Sequence, residues 1–463
     1  MDDTIYGLST PFGKSGIAII RITGERAIEA IKLLQCTVSS TARVLFRTKL
    51  FSQFDGAQLD DCMCVYFLAP NTFTGEDVVE FHVHGSVAVI NGILEELGKI
   101  PFLREAERGE FTKRAFKNGK MSLSDVEALS ELLQAETSMQ RRTILAQMSG
   151  KLHKTYKRWR AAVIECMYKM EALIDFSSEE VPEEALMSVE HAIFSLRNDM
   201  QAHYMRSNEC RAIFEGIKVI VIGVPNVGKS SIINLITDED IAIVSDISGT
   251  TRDIISASKE INGIKYTFYD TAGLRDGSLD IIENLGMHRA VECVTSANIV
   301  LIVIDTTADI TDQYQQIESK ISLEKIEFLQ KVVLLYNKSD LSCTQEYNTD
   351  IIEAIKARVK NHVEVHAITF SAKTATKVHT LVSLLEKTYI EYDELTLTSN
   401  LRQLNIIKNT LAKIEEYITL QNAYLDIKAH VIREIAQSLA LLIGEVDVEE
   451  ILDNIFSNFC IGK

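Results

Sequence analysis

The segment Gly223-Val224-Pro225-Asn226-Val227-Gly228-Lys229-Ser230 has the spacing G-x-x-x-x-G-K-[ST], between a β-branched run, Ile217 to Ile222, and a helical pattern, Ser231 to Ile236. Two glycines so spaced let backbone N–H groups wrap phosphate oxygens at a helix N-terminus, while Lys229 adds a point charge and Ser230 offers a hydroxyl to Mg2+. Farther along stand, in order, Gly249-Thr250-Thr251, Asp270-Thr271-Ala272-Gly273, Asn337-Lys338-Ser339-Asp340 and Ser371-Ala372-Lys373. The chemistry open to this set is recognition of GTP with its Mg2+. Asp340 can accept two hydrogen bonds from guanine's N1–H and exocyclic amine, a donor pair that adenine lacks, and Asn337 stands beside it to read the same base. Thr251 completes the Mg2+ shell from a first switch loop, Asp270 holds the metal through water, and Gly273 reaches the γ-phosphate. The expected nucleotide-binding set is Asn226, Val227, Gly228, Lys229, Ser230 and Ser231, then Ser245-Asp246-Ile247-Ser248-Gly249-Thr250-Thr251, Asp270 to Gly273, Asn337, Lys338, Asp340, and Ser371 to Lys373.

Hydrolysis also needs a group that orients the attacking water. Ras-like GTPases place a glutamine directly after the glycine of the second switch, but Leu274 stands there. The polar group must come from elsewhere. Arg252 and Arg275 are two candidates for an arginine finger, and switch arginines that merely solvate their loops fit equally well.

Positioning these loops requires a parallel sheet. From Gly216 onward, β-branched runs (Ile217 to Ile222, Ile299 to Asp305, Lys331 to Tyr336, Val365 to Phe370) alternate with helical segments, the pattern of an α/β domain with strands buried on both faces. Ile261-Asn262-Gly263-Ile264 reads as a hairpin turn leading into the Asp270 strand. Before this module, from about Ser122 to Arg211, apolar residues recur three and four apart, and no glycine falls between Gly150 and Gly216. The same texture returns after His379. The economical reading is one helical domain split by an inserted α/β domain. The first 120 residues carry short β-like runs, such as Gly16 to Ile22 and Cys62 to Leu68, and form a separate α/β module. The expected domains are thus 1–120, 121–215, 216–378 and 379–463, in an α/β + α fold.

Length and composition agree. At roughly 150 residues per domain, 463 residues call for several cores. Hydrophobic residues at 46% can fill them. A net charge of −17 excludes wholesale sequestration of polyanions, so contact with nucleic acid needs a local basic patch. The run Lys151, His153, Lys154, Lys157, Arg158, Arg160 is one candidate, and a solvated helix face is the other reading. The 8 cysteines are scattered without a CxxC pair, the N-terminus is acidic where a signal peptide needs base, and no apolar run is long enough to span a membrane. A cytoplasmic location is expected.

Further motifs lie outside the nucleotide site: Thr10-Pro11-x-Gly13, Ile20-Arg21-Ile22-Thr23-Gly24, Thr74-Gly75-Glu76-Asp77-Val78-Val79-Glu80 with His84-Gly85, Gly109-Glu110-Phe111-Thr112-x-Arg114-Ala115-Phe116-x-Asn118-Gly119-Lys120, and the closing Phe459-Cys460-Ile461-Gly462-Lys463. With these the chain resembles the MnmE (TrmE) family of tRNA-modification GTPases along essentially its whole length. The resemblance implies an N-terminal domain that dimerises and binds a tetrahydrofolate, 5-formyl or 5,10-methylene, through Arg21, Glu80, Lys120 and Lys463. Taken by themselves, Arg21 and Glu80 read as members of surface ion pairs. The resemblance also implies a K+ ion held by Asn226, Ser245, Ile247 and Thr250, and Glu283 as the residue that orients water, against a bland reading as an exposed helix glutamate. Cys460 aligns with a cysteine in the closing motif; catalysis and simple burial are both open for it.

The function implied is GTP hydrolysis coupled to addition of a carboxymethylaminomethyl or aminomethyl group at C5 of the wobble uridine of certain tRNAs. A homodimer would work with the FAD-carrying partner MnmG (GidA) in a heterotetramer. The rival reading is a regulatory, RNA- or ribosome-associated GTPase similar to Era or EngA.

Overall fold

Alternation of apolar and polar residues builds the N-terminal sheet. Its strands are β1 (Thr4–Leu8), β2 (Ile17–Thr23), β3 (Phe46–Phe51), β4 (Gln58–Phe67), β5 (Val78–His84) and β6 (Leu103–Glu105), in the order β3-β4-β5-β2-β1-β6. All neighbours are antiparallel except β1 and β6. Ala18, Ile20 and Ile22 of β2 and Val79, Phe81 and Val83 of β5 enter one core with residues of α1 (Ala27–Leu33) and α2 (Val87–Gly98). The period of two therefore commits Arg21 and Glu80 to the opposite face. The computed structural model describes residues 3–34, 36, 41–175, 183–209, 211–238, 256–270, 295–320, 323–326, 329–341, 348–386, 397–420, 424–445, 455–456, 459 and 462. Contacts divide the chain into one unit of Met1–Gln134, Ile144–Ser207 and Thr396–Lys463, and another of Ala135–Thr143 and Asn208–Leu395.

Helices α3 (Glu110–Lys117), α4 (Leu123–Gln134), α5 (Ser138–Ala146), α6 (Leu152–Asp175) and α7 (Glu183–Glu209) follow. The helical stretch expected from Ser122 is not continuous: a π turn at Gln147–Lys151 precedes α6, with Gly150 at φ 78°, a left-handed value that glycine adopts at little cost.

The second unit contains α8 (Arg211–Glu215), β7 (Ile217–Ile222), α9 (Lys229–Asp238), β8 (Ser256–Ile261), β9 (Ile264–Asp270), β10 (Ile299–Asp305), α10 (Ile310–Lys320), β11 (Lys331–Asn337), α11 (Thr349–Arg358), β12 (Glu364–Thr369) and α12 (Val378–Leu385). The strand order is β12-β11-β10-β7-β9-β8, parallel except for β8. Strand β10 reads IVLIVID because both faces are covered: Leu301 and Val303 enter one cluster, Val300, Ile302 and Ile304 another. The Asn262-Gly263 turn joins β8 to β9 with positive φ at both residues, 50° and 81°, as a two-residue hairpin requires.

The chain then continues as α13 (Leu401–Thr419) and α14 (Leu425–Ile443). Their Ile407, Ile414, Ile432 and Leu439 share a core with Tyr156, Trp159 and Val163 of α6 and Val189 and Ile193 of α7. The two flanks of the inserted α/β domain therefore build a single helical domain. Inside it Tyr156 Oη lies 2.6 Å from Thr398 Oγ1, and His203 Nε2 lies 2.8 Å from the same hydroxyl. The His203 ring also packs edge-on to Trp159, 5.3 Å between centroids. Among the described residues, no helix is long and apolar enough to cross a membrane.

Candidate functional site

The phosphate loop follows β7, whose last residue is Ile222. A Cβ on Gly223 would lie 2.6 Å from the Val303 carbonyl oxygen and 2.8 Å from Val227 Cγ2, so the close approach to β10 excludes any side chain there. Gly228 has φ 98°, and its Cβ would meet Asn337 Nδ2 at 2.5 Å. Asn226 takes the left-handed φ of 64° and is exposed. Helix α9 begins at Lys229, two residues before the start expected from the sequence. The buried Lys229 donates to the carbonyls of Gly223 and Val224 at 3.0 and 3.1 Å. Burial pushes its ammonium below the ordinary lysine range, an effect that the Asp270 carboxylate partly offsets. Ser230 Oγ donates to Asp270 Oδ2 at 2.6 Å. The two expected Mg2+-side residues therefore already touch.

The guanine side is knit by Asn337. Its Nδ2 donates to the Val227 carbonyl at 2.6 Å, and its Oδ1 accepts the Ala372 amide at 3.0 Å. The amide thus joins three loops. Asp340 Oδ1 accepts the Ser371 hydroxyl at 2.6 Å. Lys338, at φ 63°, pairs with Asp305, Nζ to Oδ2 2.6 Å. Asp305 ends β10 and belongs to none of the nucleotide motifs. Burial raises its carboxyl, but Lys338 and Thr307 outweigh that and hold it below the usual range. Of the nucleotide set, Ser231 lies in α9 and Lys373 is exposed. Ser245 to Thr251 and Thr271 to Gly273 lie outside the described residues, as do Arg252, Leu274, Arg275 and Glu283.

A second cluster forms on the N-terminal sheet. Arg21 and Glu80 are direct cross-strand partners of β2 and β5. Arg21 Nη2 and Nε lie 2.8 and 2.9 Å from Glu80 Oε1, both side chains being under 20% exposed. The Arg21 guanidinium stands 5.7 and 5.8 Å from the ring centres of Phe73 and Phe111, and His82 Nε2 lies 3.4 Å from Glu80 Oε2. Glu76 accepts from Thr23 Oγ1 and Arg114 Nη1, both at 3.1 Å, while Asn118 Nδ2 donates to the Thr74 carbonyl at 2.7 Å. Lys120 Cε is 3.1 Å from where a Cβ on Gly75 would stand. Three separated motifs thus meet around one sheet.

The closing motif reaches the same sheet within one chain. Ser9 Oγ donates to the Gly462 carbonyl at 2.8 Å, and a Cβ on Gly462 would lie 2.3 Å from the Leu8 carbonyl oxygen. Leu8 pairs with Ile20, the row beside Gly7 and Arg21. Cys460 and Lys463 lie outside the described residues. In the basic run, Arg158 pairs with Asp199 and Arg160 with Glu445, while Lys154 and Lys157 are exposed.

Known proteins resemble this chain along its whole length. The family model for the MnmE helical domain matches residues 123–460, and that for the GTP-binding protein TrmE N-terminus matches residues 4–120. The tRNA modification GTPase MnmE of Rickettsia akari is 34% identical over 461 residues, and that of Rickettsia bellii 35%, each covering 100% of both chains. A likeness that runs through the sheet, the helices and the inserted nucleotide unit alike means that the chain belongs to the MnmE (TrmE) family of tRNA modification GTPases.

Proposed function

We propose that this GTPase acts on tRNA in the cytoplasm, working as a homodimer with the FAD-carrying protein MnmG (GidA) in a heterotetramer. It adds a carboxymethylaminomethyl or aminomethyl group to C5 of the wobble uridine of certain tRNAs. The observation that carries this reading is the presence in one chain of a phosphate loop and an Arg21–Glu80 cluster, in a sequence that aligns end to end with its curated relatives. The domain boundaries 1–120, 121–215, 216–378 and 379–463 belong to the same reading.

The residues present fit the groups it requires. Ser230 and Thr251 would offer the hard oxygen ligands that Mg2+ prefers, and Asp270, which accepts the Ser230 hydroxyl, would hold the metal through water. Lys229, whose ammonium donates to the carbonyls of Gly223 and Val224, can turn to phosphate oxygens. Asn226 Oδ1, with oxygens of Ser245, Ile247 and Thr250, would hold K+, whose charge would stand where an arginine finger acts in other GTPases. Glu283 would orient the attacking water in place of Leu274. On the sheet, Glu80 can accept hydrogen bonds from the amide and amine edge of a pterin, while Arg21, Lys120 and Lys463 suit its glutamate carboxylates.

Mass spectrometry of wobble nucleosides tests the proposal. A deletion strain should lose the C5 modification, the wild-type gene should restore it, and Lys229→Ala should not. Intact modification in the deletion strain would favour the regulatory reading of the Era or EngA type.

A further inference from the structure

We propose that Asp305 is a positioning residue of the guanine-nucleotide site, which anchors the Lys338 ammonium so that the lysine stem is held in place to flank the base. The inference rests on the guanine-nucleotide reading of the site. Its grounds are a set of contacts that converge on one carboxylate.

Asp305 ends β10 directly opposite Asn337 at the end of β11. Its backbone is held on both sides by the buried Gln313 of α10: Asp305 N–H donates to Gln313 Oε1 at 2.9 Å, and Gln313 Nε2 donates to the Asp305 carbonyl at 2.8 Å. One carboxylate oxygen, Oδ1, accepts both the amide and the hydroxyl of Thr307, at 2.9 and 2.6 Å. The other, Oδ2, is left for Lys338 at 2.6 Å. Thr306 ties the two strand ends again, its amide and hydroxyl both 3.0 Å from the Asn337 carbonyl. A carboxylate fixed in this way by its own strand, a helix and a turn is preorganised for a single cation.

Lys338 lies between two residues with defined places in the site. Asn337 grips the phosphate loop at Val227, and Asp340 is tied to the Ser371 loop. A purine read by Asp340 must pass beside the residue two positions earlier. With the ammonium held by Asp305, the four-carbon stem presents apolar surface to the ring and loses less rotamer freedom when a nucleotide enters. An unanchored lysine would have to be ordered by the ligand itself. Asp305 therefore acts on affinity through Lys338 and has no part in choosing the base, which falls to Asp340.

Calorimetry of the full-length protein with GDP and with IDP, which lacks the exocyclic amine, tests this. Asp305→Ala should weaken both nucleotides by the same factor, about tenfold, or ~1.4 kcal/mol. Lys338→Met should do likewise, and the double variant should be no weaker than Lys338→Met alone. Steady-state GTP turnover should show a raised KM with kcat unchanged. Asp305→Asn, which keeps the shape and the Thr307 contacts, should match Asp305→Ala and serves if the latter does not fold. Wild-type affinity in both Asp305 variants, losses that add in full in the double variant, or a changed GDP-to-IDP ratio would each overturn the proposal. Absence of GDP binding by the wild type would instead remove the nucleotide reading on which it rests.

Discussion

The amide nitrogen of Asn337 stands 2.5 Å from the point where a side chain on Gly228 would begin. The phosphate loop and the guanine loop are therefore interlocked, since the same nitrogen donates to the neighbouring Val227 carbonyl. Gly228→Ala would push Asn337 off that carbonyl and also strain a backbone at φ 98°. GDP affinity is expected to fall about tenfold or more, equivalent to ~1.4 kcal/mol. Titration with a fluorescent GDP checks this, and unchanged binding would mean that the two loops move independently.

Asn226 is the described residue of the candidate K+ set. Its left-handed φ of 64° complicates an alanine test, because alanine there adds backbone strain of roughly 1 kcal/mol while glycine does not. Turnover is expected to be faster in KCl than in NaCl at equal ionic strength, and both Asn226→Ala and Asn226→Gly should lose the difference. Screening cannot distinguish the two salts. Equal wild-type rates in both would return attention to Arg252 and Arg275.

Arg21 and Glu80 can be separated as an ion pair and as a ligand site. A cross-strand pair of this kind contributes below about 1 kcal/mol, so Arg21→Ala and Glu80→Ala should stay folded. Both should lose binding of 5-formyltetrahydrofolate by about tenfold or more in calorimetry. The exchanged pair, Arg21→Glu with Glu80→Arg, should recover thermal stability without recovering folate. Recovery of both would show that only the pairing matters.

His203 makes stability depend on pH. Burial holds its imidazole at a pKa of about 4, with Arg206 lowering and Asp199 raising it, against about 6.5 for an exposed ring. The folded state thus binds the proton more weakly than the unfolded chain. Its contribution is complete above pH 6.5 and is lost as pH falls toward 4, by about 3 kcal/mol in all. Urea unfolding of the helical domain should weaken through this window, and His203→Gln should flatten the dependence. An identical pH profile in the variant would assign the effect elsewhere.

Lys377 marks where residue pattern stops predicting geometry. A glycine is expected after Ser371-Ala372-Lys373, but Thr376-Lys377 stands there. The chain keeps the turn regardless: Ala375 and Lys377 take φ values of 55° and 65°, and a bridge joins Ser371 to Thr376. Lys377 Nζ donates to Thr369 Oγ1 at 2.7 Å, which helps hold the strained turn. By contrast, the strand from Ile217, the loop to Ser230 and the Asn262-Gly263 turn could be read from the chain alone, because motif spacing, β-branching and positive φ there point the same way. Asp305 could not, since its partner lies in the loop after another strand and an aspartate ending a strand is unremarkable by type. Nor could the second role of Asn337, because a side chain that joins loops looks no different in sequence from one that reads a base.

The contact of Gly462 with Leu8 and Ser9 sets an order of events during synthesis. The first strand emerges from the ribosome early, yet the residue that packs on its end is added after the inserted nucleotide unit has been made. At roughly 5–20 residues per second, that wait is on the order of half a minute to a minute and a half. The N-terminal sheet must therefore remain soluble with one end uncovered while the insert folds within its own segment. A ribosome stalled just before Gly462 would carry a nascent chain able to bind nucleotide but not yet closed at the sheet, so limited proteolysis of such chains should cut near Ser9 and spare the phosphate loop.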